Sequence, residues 1–183
     1  MIWLIVIIAI IVVIGIWLAG TYNSLVNLRN MVKDQWAQID VHLKRRADLI
    51  PNVVETVKGY ASHEKETLDA VITARNKAVS AGTVEDEMKA NGELTNALGR
   101  LFAVAEAYPD LKANTNFVDL QNTLKDTEDK IAFARQFYND AVLKYKNKLE
   151  MFPTNIVASM FGFKPELFFE ANDAEKEVPK VEF

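Results

Sequence analysis

The sequence predicts an all-α protein, in which an N-terminal transmembrane helix precedes an antiparallel up-and-down bundle of about four helices, with the first and last helices long. Three observations predict this class. Residues 2–19 (IWLIVIIAIIVVIGIWLA) contain no charged or strongly polar side chain. After Gly20, apolar residues recur at spacings of three and four, the period of a helix that buries one face. Glycine and proline are sparse, with 7 and 5 among 183 residues, as in helical proteins.

The apolar run at residues 2–19 is predicted to cross a membrane. At ~1.5 Å per residue it reaches about 27 Å, close to the ~30 Å hydrocarbon thickness of a bilayer. No basic residue precedes it and it is long for a signal peptide, although the small residues Ala19 and Gly20 leave cleavage after them open. Arg29 and Lys33 follow the run, so the positive-inside rule places the soluble part in the cytoplasm. We therefore expect a single-pass cell-membrane protein that contacts the bilayer through residues 2–19.

Residues 21–152 are predicted to form the bundle, with helices at about 21–48, 52–80, 84–107 and 116–151. The sequence DLIPN at residues 48–52 separates the first two, because Pro51 has no N–H to donate and disfavours helix just before it. Asp48 could cap a second helix at this point. Alternatively, Pro51 only kinks one long helix. The apolar positions predicted to face the core in this region are Leu25, Val32, Trp36, Ile39, Leu43, Ile50, Val54, Val57, Ala61, Leu68 and Val71.

The later breaks have clearer signals. Gly82 ends the second helix, and Thr83 with Asp86 three residues later is typical of a helix N-terminus. Pro109 ends the third helix, residues 110–116 are predicted to be a loop, and Phe152 and Pro153 end the fourth. Because the links are short, neighbouring helices are predicted to be antiparallel.

Segments along nearly the whole chain carry a recognisable family pattern. They are YNSLVNLRNMV at 22–32, WAQIDVHLKRRADLIPNVVETVKGYASHE at 36–64, AVAEAYPDLKAN at 103–114, FARQFYNDAV at 133–142 and GFKPELFFE at 162–170. Together they resemble the LemA family of bacterial membrane proteins. The resemblance implies an N-terminal span and an antiparallel helical bundle, but it implies no activity.

A basic cluster is the first candidate interaction site. Lys44, Arg45 and Arg46, with Asp48 nearby, could bind a phosphate, a lipid headgroup or an acidic protein. Lys44 follows Gly20 by about 36 Å of helix, well beyond a ~10 Å Debye length, so we expect no direct headgroup contact. The alternatives are a protein partner at the tip of the bundle, or ordinary pairing with acidic residues on the same helix.

Two further segments stand out. Tyr108, Pro109 and Asp110 are predicted to form a turn between helices, with a recognition role as the alternative. Residues 153–171 form a Phe-rich C-terminal segment that is too apolar for a free tail. Its aromatic candidates are Phe161, Phe163, Phe168 and Phe169. Bundle topology returns this segment towards the bilayer, where it could pack on its own bundle, contact a neighbouring subunit or enter the membrane interface. Residues 172–183 are predicted to be a disordered tail.

The sequence gives little support to chemistry. There is no cysteine, and the two histidines are His42 and His63. His63 and Glu64 begin an HExxH pattern, but Thr67 stands where the second histidine is needed. A net charge of −4 is unlike that of a nucleic-acid-binding protein. We therefore predict no enzyme activity, no metal or other cofactor, no small-molecule substrate and no nucleic-acid partner.

The function predicted from the sequence is a membrane-anchored, non-enzymatic helical scaffold of the bacterial envelope that forms homo-oligomers. The alternative is an adaptor that presents its basic bundle tip to another membrane protein, such as a protease or a transporter.

Overall fold

The computed structural model describes residues 1–169. They form six helices: α1 Ile2–Tyr60, α2 Lys65–Ser80, α3 Val84–Ala105, α4 Pro109–Lys112, α5 Thr115–Glu150 and α6 Thr154–Met160. Every regular element in this part of the chain is helical, so the predicted all-α class is confirmed. The predicted disordered tail at 172–183 and the last two residues of the Phe-rich segment at 153–171 lie outside the described residues.

Helix α1 contains the apolar run and continues for 59 residues without a break. It is the one helix among residues 1–169 that is long and apolar enough to cross a membrane. The large apolar side chains of the run are exposed in the isolated chain, for example Ile5 and Ile11. The long helix therefore fits a membrane protein, in line with the predicted span.

The predicted break at residues 48–52 is wrong, because α1 passes through Pro51 and ends at Tyr60. Of the two alternatives, the structure has one long helix. In a helix, the N–H of residue 51 would bond to the carbonyl of Ala47, and Pro51 leaves that carbonyl without its partner. Arg75 on α2 fills the place, since its Nε–H donates to the Ala47 oxygen over 3.3 Å. A tertiary contact thus replaces the hydrogen bond that proline removes.

The break between α1 and α2 lies instead at residues 61–64, inside the helix predicted over 52–80. The remaining boundaries lie close to those predicted. Thr83 accepts a hydrogen bond from the backbone N–H of Asp86 over 3.1 Å and caps α3 as the spacing predicts. Part of the predicted loop at 110–116 is instead the one-turn helix α4, which Pro109 begins. Proline suits a first helical position, where its missing N–H needs no partner.

The chain divides into two compact units. The bundle unit contains Gln38–Ala134, and the anchor unit contains Met1–Ala37 together with Arg135–Phe168. In the bundle unit, α2 and α3 form an antiparallel hairpin, in which Lys77 pairs with Glu93 over 2.9 Å. Every helix of this unit contributes to one core, which contains Ile50, Val53, Val57, Leu68, Val71, Leu94, Leu98, Leu101, Leu111, Phe117 and Leu124.

The anchor unit buries residues from both of its chain segments. Leu25 and Val32 come from α1, Tyr145 comes from α5 and Val157 comes from α6. Trp36 and Tyr138 meet edge to face, with ring centroids 5.4 Å apart. Aromatic pairs of this geometry add to the burial of the two rings. The anchor unit therefore has its own packed interior beside the apolar run.

Candidate functional site

The predicted basic tip does not exist as such. Because α1 continues to Tyr60, the segment from Lys44 to Asp48 lies within the helix and not at its end. Lys44, Arg45 and Asp48 are exposed, but Arg46 is only 2% exposed. Arg46 therefore cannot contact a partner, and the three basic residues do not form one surface. A helix turns consecutive side chains to different faces, so three adjacent basic residues within α1 cannot all point the same way.

Arg46 is the centre of a polar cluster inside the bundle unit. Its Nη1 donates to Glu128 Oε1 over 2.6 Å and to Thr95 Oγ1 over 2.9 Å. Its Nη2 donates to the side-chain and backbone oxygens of Asn91, over 2.6 and 3.2 Å. One guanidinium thus joins α1, α3 and α5. A planar guanidinium suits this role because its donors point in fixed directions towards several acceptors.

The cluster continues through its partners. Asn91 donates from Nδ2 to the backbone oxygen of Glu87 over 2.9 Å, and Thr95 donates to the backbone oxygen of Asn91 over 3.1 Å. Asn91 is itself buried. A buried polar group is tolerated when it is hydrogen-bonded, so these bonds permit a polar layer in the apolar core.

Two carboxyl groups meet beside the cluster. Burial, and then a hydrogen bond to Asp40, raise the pKa of Glu87 to about 7. Asp40 also accepts a 2.7 Å hydrogen bond from Lys44, and this bond raises the pKa of the exposed Lys44 amine. Glu87 can therefore hold a proton near neutral pH. Glu87, Asp40 and Lys44 thus form a small network of ionisable groups within the bundle unit.

The two histidines do not meet in a site. His63 is exposed between α1 and α2, whereas His42 is half-buried within α1. Residues 1–169 contain no group of three or more histidine, cysteine, aspartate and glutamate side chains placed to hold a metal ion.

The predicted corner at Tyr108, Pro109 and Asp110 lies at the end of the bundle unit where α1 stops. Tyr108 donates from its hydroxyl to Glu64 over 2.9 Å, and Asn114 donates to the hydroxyl of Tyr60 over 2.8 Å. The Glu64 carboxylate raises the pKa of Tyr108 chiefly by accepting this bond. Pro109 and Asp110 stay exposed. The corner is therefore a turn that Tyr108 ties to the start of α2, while Asn114 after α4 bonds to the end of α1.

The Phe-rich segment packs on its own chain in the anchor unit. Tyr22 contacts Phe161 and Phe163, with ring centroids 4.9 and 5.5 Å away and the rings edge to face. The Arg29 guanidinium lies 5.2 Å from the centre of the Phe163 ring, a cation–π distance. The sequence leaves three locations open for this segment: its own bundle, a neighbouring subunit or the membrane interface. The structure shows contact with helix α1 of the same chain.

Gly162 lets the chain turn from α6 into this contact. Its φ of +69° is left-handed, which favours glycine. The N–H of Phe163 bonds to the carbonyl of Ala158 over 2.9 Å, and that of Gly162 bonds to Ser159 over 3.3 Å. These two bonds form a Schellman motif, which ends the helix and fixes the direction of the next residue.

Two tyrosines hold the rest of the segment differently. Tyr138 donates to the backbone oxygen of Leu167 over 2.8 Å, and burial with the nearby Glu166 charge raises its pKa to about 12. Tyr145 is fully buried, and its hydroxyl has no hydrogen-bond partner among the described residues. Burial also raises the pKa of Tyr145.

The predicted aromatic candidates differ in exposure. Phe161 remains exposed, Phe163 and Phe168 are half-buried, and Phe169 is buried. Lys146 lies 5.8 Å from the centre of the Phe168 ring. Only Phe161 among the four thus keeps most of its surface free.

Asn91 and Glu128 were not predicted as site residues. Both lie in phase with apolar core positions, since Asn91 precedes Leu94 by three and Glu128 follows Leu124 by four. Arg46 likewise follows Leu43 by three. A polar residue in phase with the buried apolar positions is therefore the sequence pattern that could have predicted this cluster.

Comparison with known proteins gives the family. A model of the LemA family matches residues 35–183. Magnetosome protein MamQ 1 of Paramagnetospirillum magneticum is 27% identical over 179 residues, covering 84% of this chain and 66% of the relative. MamQ of Magnetospirillum gryphiswaldense is 26% identical with the same coverage, so the chain spans 66% of the length of these magnetosome relatives. Protein LemA of Metamycoplasma hominis is 25% identical over 158 residues, with 86% of this chain and 72% of the relative covered. Since the family model matches most of the sequence, this chain belongs to the LemA family.

Proposed function

We propose that this chain is a membrane-anchored, non-enzymatic helical scaffold of the bacterial envelope that self-associates. One observation carries the proposal. Helix α1 runs without interruption from the apolar residues 2–19 to Tyr60 and buries Ile50 and Val57 in the core of the bundle unit. The same helix is thus both the anchor and a core element, which suits a protein that holds partners at a membrane.

The use of the buried polar groups supports a role without catalysis. A catalytic site needs a nucleophile, acid or base that a substrate can reach. In the bundle unit the guanidinium of Arg46 is instead bound to Asn91, Thr95 and Glu128. The long apolar run of α1 supports a membrane setting for this chain. We place the bundle unit on the cytoplasmic side, because Arg29 and Lys33 follow the run.

An exposed aromatic residue supports self-association. Phe133 on α5 is 65% exposed in the bundle unit. A phenylalanine that gains little from its own fold can contribute to an interface, where large aromatic side chains often supply much of the binding energy. We propose that a second copy of the chain covers Phe133.

The mass of the purified chain in nanodiscs and in mild detergent tests self-association. We expect an oligomer in both, and dissociation when Phe133 is replaced by serine. Lys130→Ser, which changes an exposed polar residue one turn away on the same helix, is the control and should leave the mass unchanged. A monomer in both media would contradict the scaffold.

A membrane-impermeant maleimide, applied to intact cells that carry a single added cysteine at Ser80, tests the predicted side of the membrane. Labelling would overturn the cytoplasmic placement.

An adaptor function is the second candidate, with a binding surface that differs from the predicted basic segment. The observation that favours it is the corner at Tyr108, whose hydrogen bond to Glu64 fixes a turn that exposes Pro109 and Asp110. An adaptor would be monomeric alone and would co-purify a membrane protein. Asp110→Lys should remove that partner, whereas Arg45→Glu tests whether the exposed remainder of the basic segment contributes.

A further inference from the structure

The anchor unit has an uncharged apolar surface on and beside α6. From residue 151 to residue 163 the sequence MFPTNIVASMFGF contains no charged side chain. The large apolar side chains of this segment that stay exposed are Met151, Phe152, Ile156, Met160 and Phe161. We call these five residues the α6 patch. Phe152 is 80% exposed, so the fold of the chain leaves most of the ring uncovered.

Helix α6 presents apolar side chains on both of its sides. Val157 and Ala158 are buried in the anchor unit, whereas Ile156 and Met160, which are four residues apart, are exposed. A helix on a water-exposed surface normally has one apolar face and one polar face. The outer face of α6 also carries the exposed polar residues Asn155 and Ser159, but it has no charged group. Such a mixed, uncharged face suits a lipid interface, where apolar side chains leave water and polar side chains stay near the headgroups.

The α6 patch lies at the level where the apolar run ends. Tyr22 comes two residues after Gly20, and its ring lies 4.9 Å from the ring of Phe161. If residues 2–19 span the bilayer, Tyr22 lies at the lipid–water boundary, where amphipathic aromatic rings are enriched. The ring contact brings the α6 patch to the same boundary. The patch is thus continuous with the surface by which α1 contacts lipid.

We propose that the α6 patch is a second membrane-contact surface, in which Phe152, Ile156 and Met160 insert into the lipid interface beside the span. Apolar side chains that enter the headgroup and acyl boundary leave water in the same way as those of an amphipathic interfacial helix. The chain would then hold the bilayer at two places. The inference rests on the membrane anchor of the proposed function, but it does not depend on self-association.

Single-cysteine labelling of the full chain tests the proposal, because the natural sequence has no cysteine. A fluorescent label at Met160→Cys in phosphatidylcholine nanodiscs should be quenched by phospholipids that carry a nitroxide near the headgroup. A label at Phe137→Cys is the matched control. Phe137 is in the same unit and has nearly the same exposure, 60% against 59% for Met160. It precedes Tyr138, which contacts Trp36, and Trp36 follows Gly20 by about 24 Å of helix.

We expect at least twofold stronger quenching at Met160 than at Phe137, and a label at Ile156→Cys should follow Met160. Equal quenching at the two positions, whether weak or strong, would overturn the proposal. So would a Met160 label that is shielded from aqueous iodide but not quenched by lipid, since a protein would then cover the patch. A label at Val12→Cys tests the anchor separately, with phospholipids that carry the nitroxide deep in the acyl chain, because Val12 lies near the middle of the apolar run. If Val12 is quenched and Met160 is not, the span stands and the α6 patch fails.

Discussion

The guanidinium of Arg46 on α1 donates a 2.6 Å hydrogen bond to the carboxylate of Glu128 on α5. The two groups differ in exposure, since Arg46 is almost fully buried and the Glu128 side chain is 38% exposed. Breaking the pair therefore costs more free energy at the buried arginine than at the partly exposed glutamate. Glu128 can turn towards water, but Asn91 would keep a buried oxygen without a donor.

Replacing Arg46 with methionine should destabilise the bundle unit by about 2–4 kcal/mol, because buried acceptors lose their donor. Arg45→Met is the matched control. The neighbouring arginine is exposed, so its replacement should stay within about 0.5 kcal/mol of the natural chain. Urea denaturation of the detergent-solubilised protein, followed by circular dichroism, measures both. Equal effects of the two substitutions would show that the polar cluster does not stabilise the unit.

The carboxyl pair predicts a pH dependence. The pKa of Glu87 lies at about 7 in the folded chain, above the ordinary value of 4.5, so the folded state binds the proton more tightly than the unfolded state. The stability contributed by protonated Glu87 is therefore present at low pH and is lost as pH rises from about 4.5 to about 7. Glu87→Gln cannot ionise and should remove this loss.

Melting temperatures measured between pH 5 and pH 8 test this sign. Glu87→Gln should melt near the natural chain at pH 5 and above it at pH 8. The exposed residue Glu85 lies two positions earlier, and Glu85→Gln should change neither value. A Glu87→Gln variant that is less stable than the natural chain at pH 8 would contradict the prediction.

Two buried tyrosines predict opposite results for the same change. Tyr138→Phe removes the donor to the Leu167 oxygen and should cost about 1 kcal/mol. Tyr145→Phe removes a buried hydroxyl that has no partner in the described chain, so it should be neutral or stabilising. Denaturation midpoints of the two variants provide the comparison. The interpretation fails if Tyr145→Phe is the more destabilising.

Two glycines, Gly162 and Gly99, should respond in opposite ways to replacement by alanine. Gly162→Ala forces a residue with a Cβ into a left-handed φ, which should destabilise the fold by about 1–2 kcal/mol. Gly99 lies inside α3 with open space around it, and Gly99→Ala should stabilise the helix by up to about 1 kcal/mol. Unfolding midpoints should thus move in opposite directions. A shift of the same sign in both variants would contradict the assignment of the Schellman turn.

The sequence predicts the core better than it predicts the contacts that cross it. Leu43, Ile50 and Val57 recur with the helical period, and all are buried as that period indicates. Arg46 lies on the same stripe, but its charge predicts a surface position, because a charged residue is usually solvated. Its acceptors lie far away along the chain, 45 residues at Asn91 and 82 at Glu128. No local pattern links such distant positions.

Helix α1 passes through Pro51 for a reason that no neighbouring residue shows. The orphaned Ala47 carbonyl accepts from Arg75 Nε over 3.3 Å, and Arg75 is 28 residues away. Local chemistry alone therefore favours a break.

If Arg75 replaces the hydrogen bond that Pro51 removes, its value should depend on the proline. Arg75→Met should cost about 1–2 kcal/mol in the natural chain, because it leaves the buried Ala47 carbonyl unpaired. Pro51→Ala supplies a backbone N–H to the same carbonyl, so Arg75→Met should cost little in that background. A double-mutant cycle on urea denaturation measures the difference, which we expect to be about 1 kcal/mol. Equal costs in the two backgrounds would mean that Arg75 stabilises the hairpin without compensating for Pro51, and the continuity of α1 would need another cause.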